Sequence, residues 1–449
     1  MGDRMIRQLA ASLAAVVVGS TIAPPGWASQ PSEPVTPANV VNKLETLWEG
    51  QYERHFDRDL PAQVISAAAV SEKLREMERR TGQRSALIYI MPRANDVEVV
   101  LVTGRSEPRI EVIPGASQAA VDEAVKLLTV AITNPAQRNG VSYLPYARRL
   151  HNWLIAPIES QLQAEGIKLL IFCPGEGLRS APLAALHDGQ QFLIEKYAIA
   201  RIPGFSLFDQ TPSQLRGSRV LAMGAAQFEQ TTNLSPLPGV PIELQAIVGS
   251  GDRPGLWPGR SFLNSDFTVG ALNQARRSGD YGIVHLATHA EFKAGRPEDS
   301  FIQFWRERLT LDRIQDIDWT SRPVELLVLS ACRTAVGDRA AELGFAGMAI
   351  AAGVKSSIAS LWYVSDRGTL ALMNEFYRQL RVTSTKSEAL RQSQLALLRG
   401  QVRIEGNELR GSGARGGTVF LPPDIAANGQ ELLSHPYYWA AFTVIGNPW

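Results

Sequence analysis

Cysteine is nearly missing from this sequence. Cys173 and Cys332 are the only two in 449 residues, which excludes a disulfide scaffold. A charge imbalance is missing too: 45 Lys+Arg face 44 Asp+Glu, for a net charge of +1. With no basic stripe interleaved with aromatics, nothing here suggests wholesale binding to nucleic acid or anionic lipid. There is no G-x-x-x-x-G-K-[ST], no G-x-G-x-x-G and no H-E-x-x-H, so neither a nucleotide nor a metal cofactor is expected. Gly204-Phe205-Ser206-Leu207-Phe208 lacks the second glycine of a serine nucleophile elbow. Self-similarity at a period of about 20–50 residues, the mark of a solenoid, is absent as well. What is present is a 45% hydrophobic composition, ample for packed cores in two or three domains.

The first residues read as an export signal. Arg4 and Arg7 precede an apolar run, residues 9–23, and small residues follow at Gly26 and Ala28. That run is about fifteen residues, short of the roughly 20 a membrane span needs. No later segment qualifies as a span. The expectation is a cleaved signal over 1–28 and an exported, soluble mature chain, in a periplasm, a lumen or the medium. A polar, Pro-rich linker and a helical lead-in then occupy 29–84. An N-terminal α/β region covers 85–216, with strands over 85–91 and 97–103 joined as a hairpin by the turn 92–96, a helix over 146–165 that Pro157 should kink, and a strand over 168–173. A second unit covers 217–449, with a helix capped by Ser265-Asp266 and running through Arg277, helices over 342–352 and 386–398, and a final strand over 438–445.

Two apolar segments carry the chemistry. Residues 281–289 (YGIVHLATH) and 324–332 (VELLVLSAC) are short runs rich in Val, Ile and Leu. Such runs suit central strands of a parallel sheet covered on both faces. The first closes on His289 and the second on Cys332. In open α/β sheets reactive residues lie just beyond the carboxyl ends of such strands. A thiol and an imidazole at neighbouring strand ends are a nucleophile and its base, the minimum equipment of a cysteine peptidase. Arg333 beside Cys332 would further depress the thiol pKa. Caspase-type enzymes place their His roughly 50 residues before the Cys, close to the spacing found here. Backbone N–H groups of Ala290 and Cys332 are candidate oxyanion donors.

His285 shares strand parity with His289, so both point to one face of an uninterrupted strand. With Cys332 they would make a His2Cys zinc set, but H-x-x-x-H is a metal signature on a helix and these flanks read as strand. His285 is therefore expected in the core or supporting the site by hydrogen bonding. A disulfide between Cys173 and Cys332 would cap the nucleophile. Asp366, at the end of 360–366 (SLWYVSD), could reach the cleft and favour a basic P1 side chain. Its rival role is to cap a helix beginning near Thr369. Asp299, in the loop after His289, is a second acidic candidate for the substrate pocket. Residues 401–430 read as a Gly-rich mobile loop, in which Arg403, Arg410 and Arg415 are candidate self-cleavage sites.

Five blocks together resemble the CHAT family of caspase-like domains. They are 178–186 (LRSAPLAAL), 285–289 (HLATH), 329–334 (LSACRT), 351–362 (AAGVKSSIASLW) and 435–441 (HPYYWAA). The resemblance runs from about residue 146 to 449. It implies an α/β fold of the caspase–haemoglobinase kind, related to separase and gingipain: a three-layer sandwich with a mostly parallel central sheet. It also implies a degenerate N-terminal half beside an active C-terminal half, a Cys332/His289 dyad without metal or organic cofactor, and a protein or peptide substrate. In separase-like relatives the acidic residue of the Trp-x-Val-x-Asp block, here Asp366, helps to read a basic P1. Two departures stand out. Ala290 replaces the glycine that commonly follows the catalytic His. The tetratricopeptide repeats that give the family its name are absent, so regulation and substrate delivery are expected from elsewhere, a regulatory partner protein being one such source. The competing reading is a non-catalytic interaction module that keeps the fold and its cleft.

Overall fold

The computed structural model describes residues 36–37, 39–60, 65–212, 215–229, 232–251, 253–319, 321–334, 338–411 and 418–449, with the backbone alone given for 250, 253 and 331–334. The expected signal over 1–28 lies outside the described residues, as do Arg415 and most of the polar stretch before residue 39.

Among the described residues thirteen strands form one sheet. In chain order they are β1 (Ser85–Pro92), β2 (Asp96–Thr103), β3 (Arg109–Pro114), β4 (Leu169–Pro174), β5 (Ala198–Arg201), β6 (Val220–Gly224), β7 (Gly259–Leu263), β8 (Ile283–Phe292), β9 (Phe301–Gln303), β10 (Arg308–Thr310), β11 (Leu326–Thr334), β12 (Ser356–Ser360) and β13 (Phe442–Gly446). Across the sheet the order is β10-β9-β8-β11-β12-β13-β5-β4-β1-β2-β3, while β6 and then β7 continue from the first part of β8. Pairings at the heart of each half are parallel: β8 with β11, β11 with β12, β5 with β4, and β4 with β1. Antiparallel hairpins close the edges at β1–β2–β3 and β8–β9–β10. The sheet is thus mixed and mostly parallel, as expected. Its central strands are buried along their length, β4 and β12 at every residue, because helices cover both faces.

β13 joins the halves, antiparallel to β12 and parallel to β5. Gly217, the expected unit boundary, lies in the connection between β5 and β6, and residues 37–449 form one compact unit.

Helices α1 (Val40–Phe56) and α2 (Ala67–Thr81) make up the lead-in expected before residue 84. They are part of the core. Glu45 of α1, 3% exposed, accepts from Tyr89 Oη at 2.7 Å, Phe205 N at 2.9 Å, Ser206 N at 2.8 Å and Ser206 Oγ at 2.6 Å. After α3 (Gln118–Thr133), the helix expected to kink at Pro157 is two helices, α4 (Leu144–Leu154) and α5 (Ala156–Ala164). Proline has no N–H to give and sits in the first turn of the second helix, where none is needed.

The later helices are α6 (Leu193–Lys196), α7 (Val240–Val248), α8 (Val269–Ser278), α9 (Arg339–Ala346), α10 (Met348–Ala352), α11 (Asp366–Leu380), α12 (Lys386–Leu398) and α13 (Pro436–Trp439). Four expectations need correction. The helix expected to start at Ser265-Asp266 is Val269–Ser278, because Thr268 Oγ1 accepts from Ala271 N and supplies the cap. The helix expected over 342–352 breaks at Gly347 into Arg339–Ala346 and Met348–Ala352. Residues 438–445 are a short helix, Pro436–Trp439, before β13 rather than one strand. Residues 401–430 are largely ordered. Strands Arg403–Glu405, Glu408–Arg410, Thr418–Phe420 and Gln430–Leu432 pair in a small antiparallel sheet, with 412–417 outside the described residues. Arg403 and Arg410 are strand residues paired with Glu405 and Glu408, a poor shape for a protease to cut.

Candidate active site

β8 and β11 both run past the residues expected to end them. β8 continues to Phe292 because Ala290 and Glu291 pair with Ile302 and Phe301 of the β9 hairpin. Along the parallel β8–β11 pair Leu286 faces Leu329, but His289 faces Ala331 and Ala290 faces Cys332. β8 therefore carries one extra residue between Leu286 and His289, a bulge of the kind that re-aims side chains beside active sites. Gly224 permits it: a Cβ there would lie 2.5 Å from Ala287 O. Thr288 Oγ1 secures the bulge by donating to Gln303 O at 2.6 Å. The backbone thus brings His289 and Cys332 to the same level on adjacent strands.

The bulge separates the roles of the two histidines, whose shared parity presumed an uninterrupted strand. His285 is fully buried between α7 (Val240–Val248) and α11 (Asp366–Leu380). Its Nδ1 lies 3.1 Å from Tyr377 Oη, and its Nε2 lies 2.8 Å from Glu243 Oε1. The latter two atoms lie close without hydrogen-bond geometry. His285 is thus a core residue enclosed by Tyr377 and Glu243.

His289 is half-buried. Its ring lies 4.9 Å from the Phe228 ring and stacks on Tyr363 at 5.9 Å. Nε2 lies 2.8 Å from Ser235 O. A carbonyl only accepts, so Nε2 carries the proton and, in the neutral ring, Nδ1 holds the lone pair. Burial lowers the pKa of His289, against upward pulls from the Ser235 carbonyl and Glu291, which favours that neutral ring. A neutral imidazole with one fixed tautomer is what a general base needs.

Asp366 opens α11, but Ser365 is the cap, accepting from Gly368 N at 3.2 Å. Asp366 instead accepts from Gly239 N, at an approach that suits glycine because a Cβ on residue 239 would sit 2.8 Å from Oδ2. Burial raises its pKa to about 6; Glu243 and Asp424 push the same way and the Gly239 N–H opposes them. Asp299 is exposed and accepts from Arg296 N at 2.9 Å, which closes a local turn. Ala290 lies between Ile302 and Cys332 in the ladder, so any oxyanion at its N–H competes with strand pairing. Of the candidate residues the structure gathers His289, Ala290 and the Cys332 backbone at one strand level. It ties Asp366 to the start of α7, and leaves Asp299 in the β8–β9 connection.

Sequence reading missed Ser235, Phe228, Tyr363 and Glu243. Ser235 acts through a backbone carbonyl, which no residue type announces, and the loop carrying it has no periodic pattern.

Cys173 is fully buried, and its thiol donates to Pro203 O at 3.6 Å. Burial pushes its pKa well up, and it forms no disulfide. Strands β5, β13 and β12 separate it from β11. At about 4.8 Å per strand spacing that places Cys173 roughly 19 Å from Cys332, far beyond the ~7 Å Cα limit of a disulfide. A cavity of about 760 Å³ lined by Arg58, Trp319, Val324 and Lys355 touches neither His289 nor Asp366. No helix among the described residues is long and apolar enough to cross a membrane.

The family profile described as CHAT domain matches residues 144–447. No match was found among curated protein sequences. Similar solved structures include two of the Saccharomyces cerevisiae separase–securin complex, each 10% identical, with TM-scores of 0.48 and 0.45. They cover 85% and 86% of this chain but only 31% and 32% of the matched chain, so this protein spans about a third of that length. An exopolyphosphatase from Cytophaga hutchinsonii is 14% identical over 34% of this chain and 46% of its own, with a TM-score of 0.15. Likeness at these scores carries no functional weight.

Proposed function

This chain belongs to the CHAT domain family, and on that premise we propose that it is a cysteine endopeptidase cleaving after basic residues. The observation that carries the reading is the strand register: Ala290 pairs with Cys332, one residue from a His289 whose tautomer a carbonyl fixes. His289 Nδ1 draws the proton from the Cys332 thiol. The thiolate attacks the peptide carbonyl, and the protonated His289 gives its proton to the leaving amine. Water then attacks the thioester with His289 as base, releasing the acid and restoring the thiol. A carboxylate at Asp366 pairs with the P1 guanidinium or ammonium. The apolar segment after Arg7 directs the chain to export.

The test is cleavage of Arg-P1 and Lys-P1 fluorogenic peptides by the purified protein beside Cys332→Ala. Turnover by the wild type and none by the variant is expected. Equal background signals across pH would favour the interaction-module reading.

A further inference from the structure

Residues 235–243, one short stretch of loop and helix, touch the proposed base, the proposed P1 acid and the core beneath them. Ser235 O accepts from His289 Nε2 at 2.8 Å, Gly239 N donates to Asp366, and Glu243 Oε1 lies 2.8 Å from His285 Nε2. A loop carbonyl is only as well placed as the element that anchors it. Here the anchor is α7, a nine-residue helix. Leu237 N donates to Ala226 O at 2.9 Å before it, and its last turn accepts from Leu256 N at 3.0 Å and Trp257 N at 2.7 Å. Glu243 adds a polar contact to β8. It is 2% exposed and packed against His285, which is 0% exposed, with Tyr377 of α11 completing the group from the other side. The charged and titratable groups facing Glu243 are therefore His285 from β8 and Tyr377 and Asp366 from α11. A buried carboxylate–imidazole contact contributes little net stability compared with apolar packing, and its best-attested use is to fix register.

We infer that Glu243 is a positioning residue. Held by His285, it fixes residues 235–243 on β8, and so sets the Ser235 carbonyl on His289 and the Gly239 N–H on Asp366. Glu243 touches neither substrate nor reacting atoms; it acts through those two backbone groups. If the segment shifts, Nε2 loses its acceptor. The neutral ring then populates the tautomer with a proton on Nδ1, which cannot accept another from the thiol. The effect therefore falls on thiol activation and appears in a pH profile. The inference rests on the peptidase reading above.

The experiment is alkylation of Cys332 by iodoacetamide, a probe with no P1 group, followed across pH by mass spectrometry of the peptide containing residue 332. In the wild type the rate should titrate well below the pH of an ordinary thiol, about 8.5. In Glu243→Gln, with a melting temperature near that of the wild type, the profile should move up. The rate near neutral pH should then fall on the order of tenfold to a hundredfold. Should Glu243→Gln fail to fold, Gly239→Ala displaces the same segment from its outer side and should produce the same movement. A perturbed wild-type profile that the folded variants leave unmoved overturns this inference alone. A wild-type Cys332 that alkylates like an ordinary thiol overturns the peptidase reading and this inference with it.

Discussion

Replacing Asp366 with Asn should make the folded protein more stable at neutral pH while removing its preference for a basic P1. Burial raises this carboxyl from 3.8 to about 6, with Glu243 and Asp424 adding to the rise and the Gly239 N–H working against it. Between those two values the folded state holds a proton that the unfolded chain has released. Stability therefore falls as pH rises through that window, and above it the ionised group is a standing cost of about 3 kcal/mol at most. Asparagine keeps an oxygen for Gly239 N–H and carries no charge to desolvate. Urea unfolding near pH 7.5 should show a higher midpoint for Asp366→Asn, and the gap should close as pH falls below about 4. A variant no more stable than wild type at pH 7.5, or a gap independent of pH, would refute the reasoning. Arg-P1 cleavage carries the same titration with opposite consequence. Asp366 is roughly nine tenths ionised at pH 7 and about one tenth at pH 5, so kcat/KM for Arg peptides should fall about tenfold more over that span than for neutral-P1 peptides.

Glu45→Ala should destabilise the protein by about 3–5 kcal/mol, since the Tyr89 hydroxyl, two backbone N–H groups and the Ser206 hydroxyl all lose their buried acceptor. Chemical denaturation reads this directly, and a loss under about 1 kcal/mol would show that water replaces the carboxylate. Cys173 should stay unmodified under native alkylation and react only after unfolding, because its thiol is fully buried and its pKa raised. Intact-mass spectrometry of Cys332→Ala should therefore show no adduct, and rapid native labelling would contradict the burial.

Much of the scaffold was legible because its signals are local. Apolar runs announced β1, β4, β8 and β11, a turn between β1 and β2 announced their hairpin, and the limits of the helix Lys386–Leu398 follow from its pattern. The adjacency of the two strands carrying His289 and Cys332 was legible too, since two apolar runs of this kind pair side by side in a parallel sheet, although both strands run past those residues. Non-local features were not. The bulge at 287–288 depends on Gly224 and Gln303 from other strands, so strict alternation misplaced His285 relative to His289. Strands β7, β9 and β10 are too short to show a period. The small sheet over 403–432 is built on few apolar residues, chiefly Ile404 and Leu409, which its glycines and charges obscure. The tie between Asp366 and Gly239 links a side chain to a backbone group in a distant loop, a contact with no signature in either stretch.

The placement of β13 has a consequence for biogenesis. The strand that separates β12 from β5 is the last of the sheet to be synthesised. Until residue 446 leaves the ribosome, β12 and β5 each present an unpaired strand edge. Open edges of that kind template wrong pairings and aggregation. Chaperone capture of nascent chains should therefore persist until β13 has emerged, and truncations that remove Phe442 and the residues after it should accumulate as insoluble material even though both halves retain their own strands.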